Sequence, residues 1–178
     1  MHIRSLCLAL AALPLAAAAG DIPGPTLDAT MGFIHDQLEQ QGVVRFVDNV
    51  HDQSSGRNWL SRHSMQVSDT AADPRTCTVS YRWELFHNSE LLDEKDTLSI
   101  VLREVQKVRV KRRNKEYQDD SLGPLAYATQ LTPPIYLVEL RSPDGIDTIA
   151  FPDPRTATHV ANAFIHAVEL CGGSKTLY

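Results

Sequence analysis

The sequence predicts a single α+β domain over residues 21–178, and three observations in chain order support it. A helical apolar period comes first, a two-residue alternation fills the middle, and a capped amphipathic segment closes the chain. The expected architecture is an N-terminal helix, an antiparallel β-meander of about six or seven strands, and a C-terminal helix packed on the sheet. With 178 residues and 43% hydrophobic content, the chain suits one domain with its own core. Collagen-like, coiled-coil, transmembrane and disordered classes are excluded.

Residues 1–20 (MHIRSLCLALAALPLAAAAG) read as a cleaved signal peptide. Arg4 supplies the basic start, Ser5–Leu15 the apolar core, and Ala16–Gly20 the small-residue stretch for cleavage after Ala19 or Gly20. A membrane anchor needs ~18–20 apolar residues, and Pro14 interrupts this shorter run. Cys7 lies too early to be the lipidated cysteine of a lipoprotein. The expected product is periplasmic or secreted, with no lipidation site and no stable membrane insertion. After Gly20 the chain has 16 basic and 22 acidic residues, so it is acidic overall.

In the first helix, Leu27, Met31, Ile34 and Leu38 fall on one face, with Thr26 or Asp28 as cap and Gly42 as terminator. Val43–Val47 is β-rich, and the polar stretch Asp48–Asn58 reads as a loop. Trp59–Ser68 is a weak strand, followed by a turn at Asp69–Arg75. Thr76–His87 alternates clearly, with Cys77, Val79, Tyr81, Trp83 and Leu85 on one side. Asn88–Glu90 reads as a hairpin turn, and Leu91–Val101 and Glu104–Arg113 continue the meander, although Thr97–Val105 also has helical periodicity. Asn114–Pro134 is a long connection with glycine and proline breaks. Ile135–Arg141 and Ile146–Phe151 form a hairpin around Ser142-Pro143-Asp144-Gly145. Asp153 caps and Pro154 opens a final helix to about Cys171, before Gly172-Gly173.

Cys77 and Cys171 are the two cysteines left after cleavage. An even number in an oxidising compartment favours a disulfide, the alternative being two buried thiols. Neither has a second Cys or His at metal-finger spacing, so no metal site is expected.

The common catalytic signatures, G-x-S-x-G, H-E-x-x-H, the P-loop and G-x-G-x-x-G, are missing. Asp48, His51 and Asp52 are suitable metal donors in type, but their spacing favours a polar loop. His159, His166 and Glu169 share a helix face, with the two histidines ~10 Å apart along the axis, a spacing that favours a solvated face over a chelate. Glu84, Glu90, Asp93, Glu94 and Asp96 supply carboxylates, but sequence alone pairs none of them across a cleft. No catalytic residue and no cofactor is assigned.

The most unusual feature is Arg103–Lys115 (REVQKVRVKRRNK). As a strand it projects Lys107, Arg109, Lys111 and Arg113 from one face, with Val108 and Val110 opposite. Two readings compete. Neighbouring strands answer these cations through Glu84, Asp93, Glu94 and Asp96, or the strip binds an anionic lipid, glycan, small ligand or acidic protein surface. Nucleic acid is not expected for an acidic, exported chain. Trp83 belongs inside. Trp59 follows a polar stretch and reads either as core or as an exposed partner-binding anchor.

The closing stretch, a Phe151-terminated strand leading to Ala163-Phe164-Ile165-His166-Ala167 and Leu170-Cys171-Gly172, resembles small exported bacterial proteins of uncharacterised function. The strand entry Asp73-Pro74-Arg75-Thr76-Cys77 is similar too, and the likeness spans Trp59–Gly173. Their β-meander closed by a helix is similar to the pleckstrin-homology-like superfold, a half-open barrel. The resemblance implies a Cys77–Cys171 link and a binding scaffold, and it brings no catalytic residues. The function expected from all this is a non-catalytic exported protein that binds a protein partner in the cell envelope, as an inhibitor or immunity-type protein. Binding of an anionic ligand along the basic strand is the alternative, and an envelope hydrolase the second alternative.

Overall fold

The computed structural model describes residues 24–113, 117–118 and 126–174; the signal peptide expected over residues 1–20 lies outside them. Helix α1 spans Leu27–Gln41, with the Thr26 side chain accepting from the Ala29 amide. It ends at Gly42, whose φ of 62° is the left-handed conformation that glycine adopts without strain. Four strands then run back and forth: β1 (Val43–Asp52), β2 (Arg57–Asp73), β3 (Thr78–His87) and β4 (Glu90–Val101). A short 3-10 turn, Leu102–Glu104, leads to β5 (Lys107–Arg113). The remaining elements are β6 (Tyr117–Gln118), β7 (Ala126–Thr132), β8 (Ile135–Ser142), β9 (Gly145–Phe151) and α2 (Pro154–Leu170).

The architecture is α+β, with two helices and two antiparallel sheets. Among the described residues one sheet has the order β4-β3-β2-β1-β7-β6 and the other β5-β8-β9, and they do not close into a barrel. The expected single meander is therefore corrected: only β1–β4 follow it. The break falls at the 3-10 turn, where Leu102 and Val105 are buried and the Leu102 amide donates to the Cys77 carbonyl. Burying two apolar residues three apart turns the chain out of the first sheet, which is the physical content of the helical period noted over Thr97–Val105. Asp48–Asn58 is also corrected from loop to hairpin, since β1 and β2 pair continuously from Val43↔Gln66 to Asp52↔Arg57. Two strands, β6 and β7, occupy part of the expected connection Asn114–Pro134; residues 114–116 and 119–125 lie outside the described residues.

The main core lies beneath both helices. Met31, Ile34 and Leu38 of α1 meet Val160, Phe164 and Val168 of α2, over Tyr81, Val108, Val138, Leu140, Ile149 and Phe151. A second, smaller cluster joins the sheets face to face, with Val44 and Phe46 of β1 against Ile135, Leu137 and Ala150. Strand β8 feeds both clusters from its alternate faces, which is why Ile135–Leu140 reads as a nearly unbroken apolar run. Each fully buried large side chain contributes ~1.5–3 kcal/mol by burial. Cys77 and Cys171 form a disulfide, Cα atoms 5.9 Å apart and 94 positions apart in sequence. It ties the end of α2 to the β2–β3 turn and stabilises by up to ~4–5 kcal/mol in the chain-entropy model.

Candidate functional site

Strand β5 places Lys107, Arg109, Lys111 and Arg113 on one face, as the alternation predicts, and Val108 in the main core. It is an edge strand, with β8 its one ladder partner among the described residues. Directly opposite Arg109 lies Glu139 of β8, a carboxylate only 8% exposed. Arg109 Nε donates to Glu139 Oε2, and Lys111 Nζ lies 3.8 Å from Oε1. Arg113 Nη2 is 3.8 Å from Oδ2 of the buried Asp48, with its guanidinium 5.2 Å from the centre of the Phe46 ring.

Of the carboxylates expected to answer the strip, the three whose side chains are described do not do so. Glu84 and Glu94 instead hold Arg82, at 3.3 and 3.2 Å. Asp93 is exposed, and the Asp96 side chain lies outside the described residues. All four belong to β3 and β4 of the larger sheet, whereas the strip belongs to the smaller one. Lys107 and Arg112 take part in no ion pair among the described residues. The edge therefore carries more positive charge than Glu139 and Asp48 offset.

Beyond Arg113 the site becomes a compact polar cluster that the sequence did not reveal. Asp48 sits on β1 between the buried Phe46 and Val50, and faces Ser61 across the ladder. The Ser61 hydroxyl lies 2.9 Å from His63 Nε2 and 2.8 Å from His87 Nε2. The two imidazoles stack at 5.1 Å, and Phe46 stacks on His63 at the same distance. A hydroxyl can donate to one imidazole and accept from the other, so Ser61 bridges both rings. A cleft of about 260 Å³ opens beside His63, with Arg45, Arg62 and Pro133 among its walls.

Serine, histidine and aspartate so close together invite a nucleophilic reading, and the geometry opposes it. His63 turns one and the same nitrogen, Nε2, toward both Ser61 and Asp48, the latter at 3.6 Å. A proton relay needs the two ring nitrogens on opposite partners. Ser61 is also 1% exposed, closed to a substrate carbonyl.

The other donor sets disperse. Asp48 faces the cluster just described, while His51 Nδ1 bonds to Asn58 Oδ1 at 2.8 Å. Asp52 accepts from the Ser54 and Ser55 hydroxyls, each at 2.7 Å, and from the Ser54 amide; these bonds lower its pKa to about 2. His159 and Glu169 are exposed on α2, and His166 Nε2 lies 2.9 Å from the Pro25 carbonyl. Among the described residues no three His, Cys, Asp or Glu side chains are placed to hold a metal ion, and no helix is long and apolar enough to cross a membrane.

Trp59 is 41% exposed on β2, on the same strand face as Ser61 and His63, and its neighbour Leu60 is 51% exposed. No protein-family model, curated protein or solved structure matches this chain.

Proposed function

We propose that this chain is an exported, non-catalytic binding protein that holds a protein partner in the cell envelope, with β5 as its contact edge and Trp59 as an aromatic anchor. The observation that carries the reading is the unbalanced positive charge of an exposed edge strand. Lys107 and Arg112 lack ion pairs among the described residues, and Arg109 and Lys111 share Glu139. From Lys107 to Lys111 the row spans ~13 Å at ~3.3 Å per residue. A single phosphate meets one or two of these cations, whereas an extended acidic stretch of a partner chain meets all of them, so an acidic protein segment is preferred over a small anion. Export is supported by the leader-like residues 1–20 and by the disulfide, which persists in oxidising compartments. The pleckstrin-homology-like resemblance accords with a binding scaffold and supplies no contact residue.

The test is retention of an Asp- and Glu-rich peptide by the wild type and by Lys107→Glu/Arg112→Glu, the two cations without ion pairs among the described residues, across a salt series. Retention is expected to weaken as salt rises and to fall more than tenfold in the variant, with the melting temperature nearly unchanged. Equal retention by both proteins rejects β5 as the contact edge. Stronger retention of anionic vesicles or a sulfated glycan than of the peptide rejects the protein partner in favour of those anions.

A further inference from the structure

The larger sheet has an open edge of the opposite sign. Among the described residues strand β4 lies at the end of its sheet, with β3 as its one ladder partner. Its first residues, Glu90-Leu91-Leu92-Asp93-Glu94, are all exposed, Leu91 by 48% and Leu92 by 54%. Glu90 faces His87 and Asp93 faces Leu85 across the ladder, with a bulge between Leu85 and Phe86. Because His87 and Leu85 share a strand face, the bulge brings Glu90 and Asp93, three apart in sequence, onto that face as successive neighbours. Neither carboxylate takes part in an ion pair among the described residues.

An edge strand leaves every second amide and carbonyl without a ladder partner, and such edges are templates for another strand. Two copies of β5 repel each other, as do two copies of the acidic half of β4. One of each attracts. Within one molecule the two strands lie in different sheets, so the pairing is open only between molecules.

We propose that the chain self-associates by edge pairing, the acidic start of β4 (Glu90–Glu94) of one copy adding to the basic β5 (Lys107–Arg113) of a second. Backbone hydrogen bonds join the two sheets, and the Glu90/Asp93 pair meets the Lys107, Arg109 and Lys111 row. The exposed Leu91 and Leu92 go into the contact. The contact is heterologous, since each copy gives one edge and takes another, so it either closes into a ring or extends. It uses the same β5 edge as the proposed partner, which therefore competes with it. Unlike binding of an envelope partner, self-association needs only this chain.

Sedimentation of the purified protein over a range of concentrations tests it. The wild type is expected to be larger than a monomer at low salt and to dissociate as salt rises. Two variants, Lys107→Glu/Lys111→Glu and Glu90→Lys/Asp93→Lys, are each expected to stay monomeric, and their equimolar mixture is expected to associate again, because each edge then meets its opposite. All four positions are exposed, and circular dichroism verifies that each variant folds. A wild type that stays monomeric throughout overturns the proposal without touching peptide binding by β5. So does association that survives either reversal, or a mixture that remains monomeric.

Discussion

The two edges of the three-stranded sheet are built on different principles. At β9 the closing half of the edge is sealed: Ile149, Ala150 and Phe151 are buried, and the Gln41 side chain of α1 donates to the Ala150 carbonyl, while Ile146 at the strand's start is 48% exposed. At β5 only Val108 is buried; the outward row is charged, and Val110 is 37% exposed. One edge is closed by packing and the other is guarded by charge alone. Charge excludes like partners and admits unlike ones, so an edge of the second kind stays soluble and still selects a partner. Packing supplies stability on one side of β8, and specificity is available on the other.

The largest expected effect separates the edges by truncation. Phe151→Ala removes a fully buried ring from the main core and is expected to cost ~3–5 kcal/mol. Val110→Ala on the opposite edge is expected to stay within ~0.5 kcal/mol, as exposed substitutions do. Urea unfolding of both variants measures the contrast. Comparable losses at the two positions mean that β5 is packed as tightly as β9, and the asymmetry disappears.

A smaller change sharpens the charged side. Glu139 is the buried carboxylate on which Arg109 and Lys111 converge. In Glu139→Gln the amide oxygen still accepts a hydrogen bond from Arg109, but the negative charge is gone. Arg109 is about half exposed and water takes up part of the loss, so the expected cost is ~1 kcal/mol. Retention of an acidic peptide is expected to move the other way, up by about two- to fivefold at low salt. A variant that loses stability and also loses peptide retention shows that Glu139 orients the cations for binding instead of competing with the ligand.

These contrasts also mark what a reader of the sequence could see. Both helices were legible because their ends are chemically signed: Thr26 and Asp153 accept from the amides of Ala29 and Thr156, and Pro154 and Gly42 sit where helices begin and stop. The β8–β9 hairpin announced itself through Ser142-Pro143-Asp144-Gly145. The disulfide followed from parity and the expected compartment, since only two cysteines lie beyond the expected signal peptide. The split into two sheets was hidden, because the helical period over Thr97–Val105 overlaps a strand and does not by itself show where the chain leaves the first sheet. The β1–β2 hairpin was hidden because Asp48 and Ser61 are polar residues placed inside, which breaks the alternation that marks a strand. For the same reason the cluster of Ser61, His63 and His87 left no signal. It depends on the register that sets His63 opposite both Phe46 and His87, and register follows from tertiary packing. The basic strip was visible, but its counter-charge was not, because Glu139 becomes the neighbour of Arg109 only once β5 leaves the meander.

The smallest effect probes the sealed edge with a proton. Asp147 on β9 is half-buried, and burial raises its pKa, an effect that the nearby Lys95 partly offsets. The pKa of the Tyr81 hydroxyl, which is buried without a hydrogen-bond partner among the described residues, is pushed upward by its burial and by the charge of Asp147. A carboxyl group whose folded pKa lies above its unfolded value binds its proton more tightly in the native state. Its contribution is therefore fully favourable below the ordinary carboxylate value of 3.8 and is lost as pH rises through the raised value. At neutral pH the ionised Asp147 is a liability that Asp147→Asn removes. The variant is expected to be more stable than wild type at pH 7, by less than ~1 kcal/mol after solvent screening, and equal to it near pH 3. Thermal melts across that interval show the two curves separating as pH rises. Parallel curves mean that water reaches the carboxylate freely, in which case β9 is no better sealed than β5 and the stability of the small sheet comes from its helix-covered face alone.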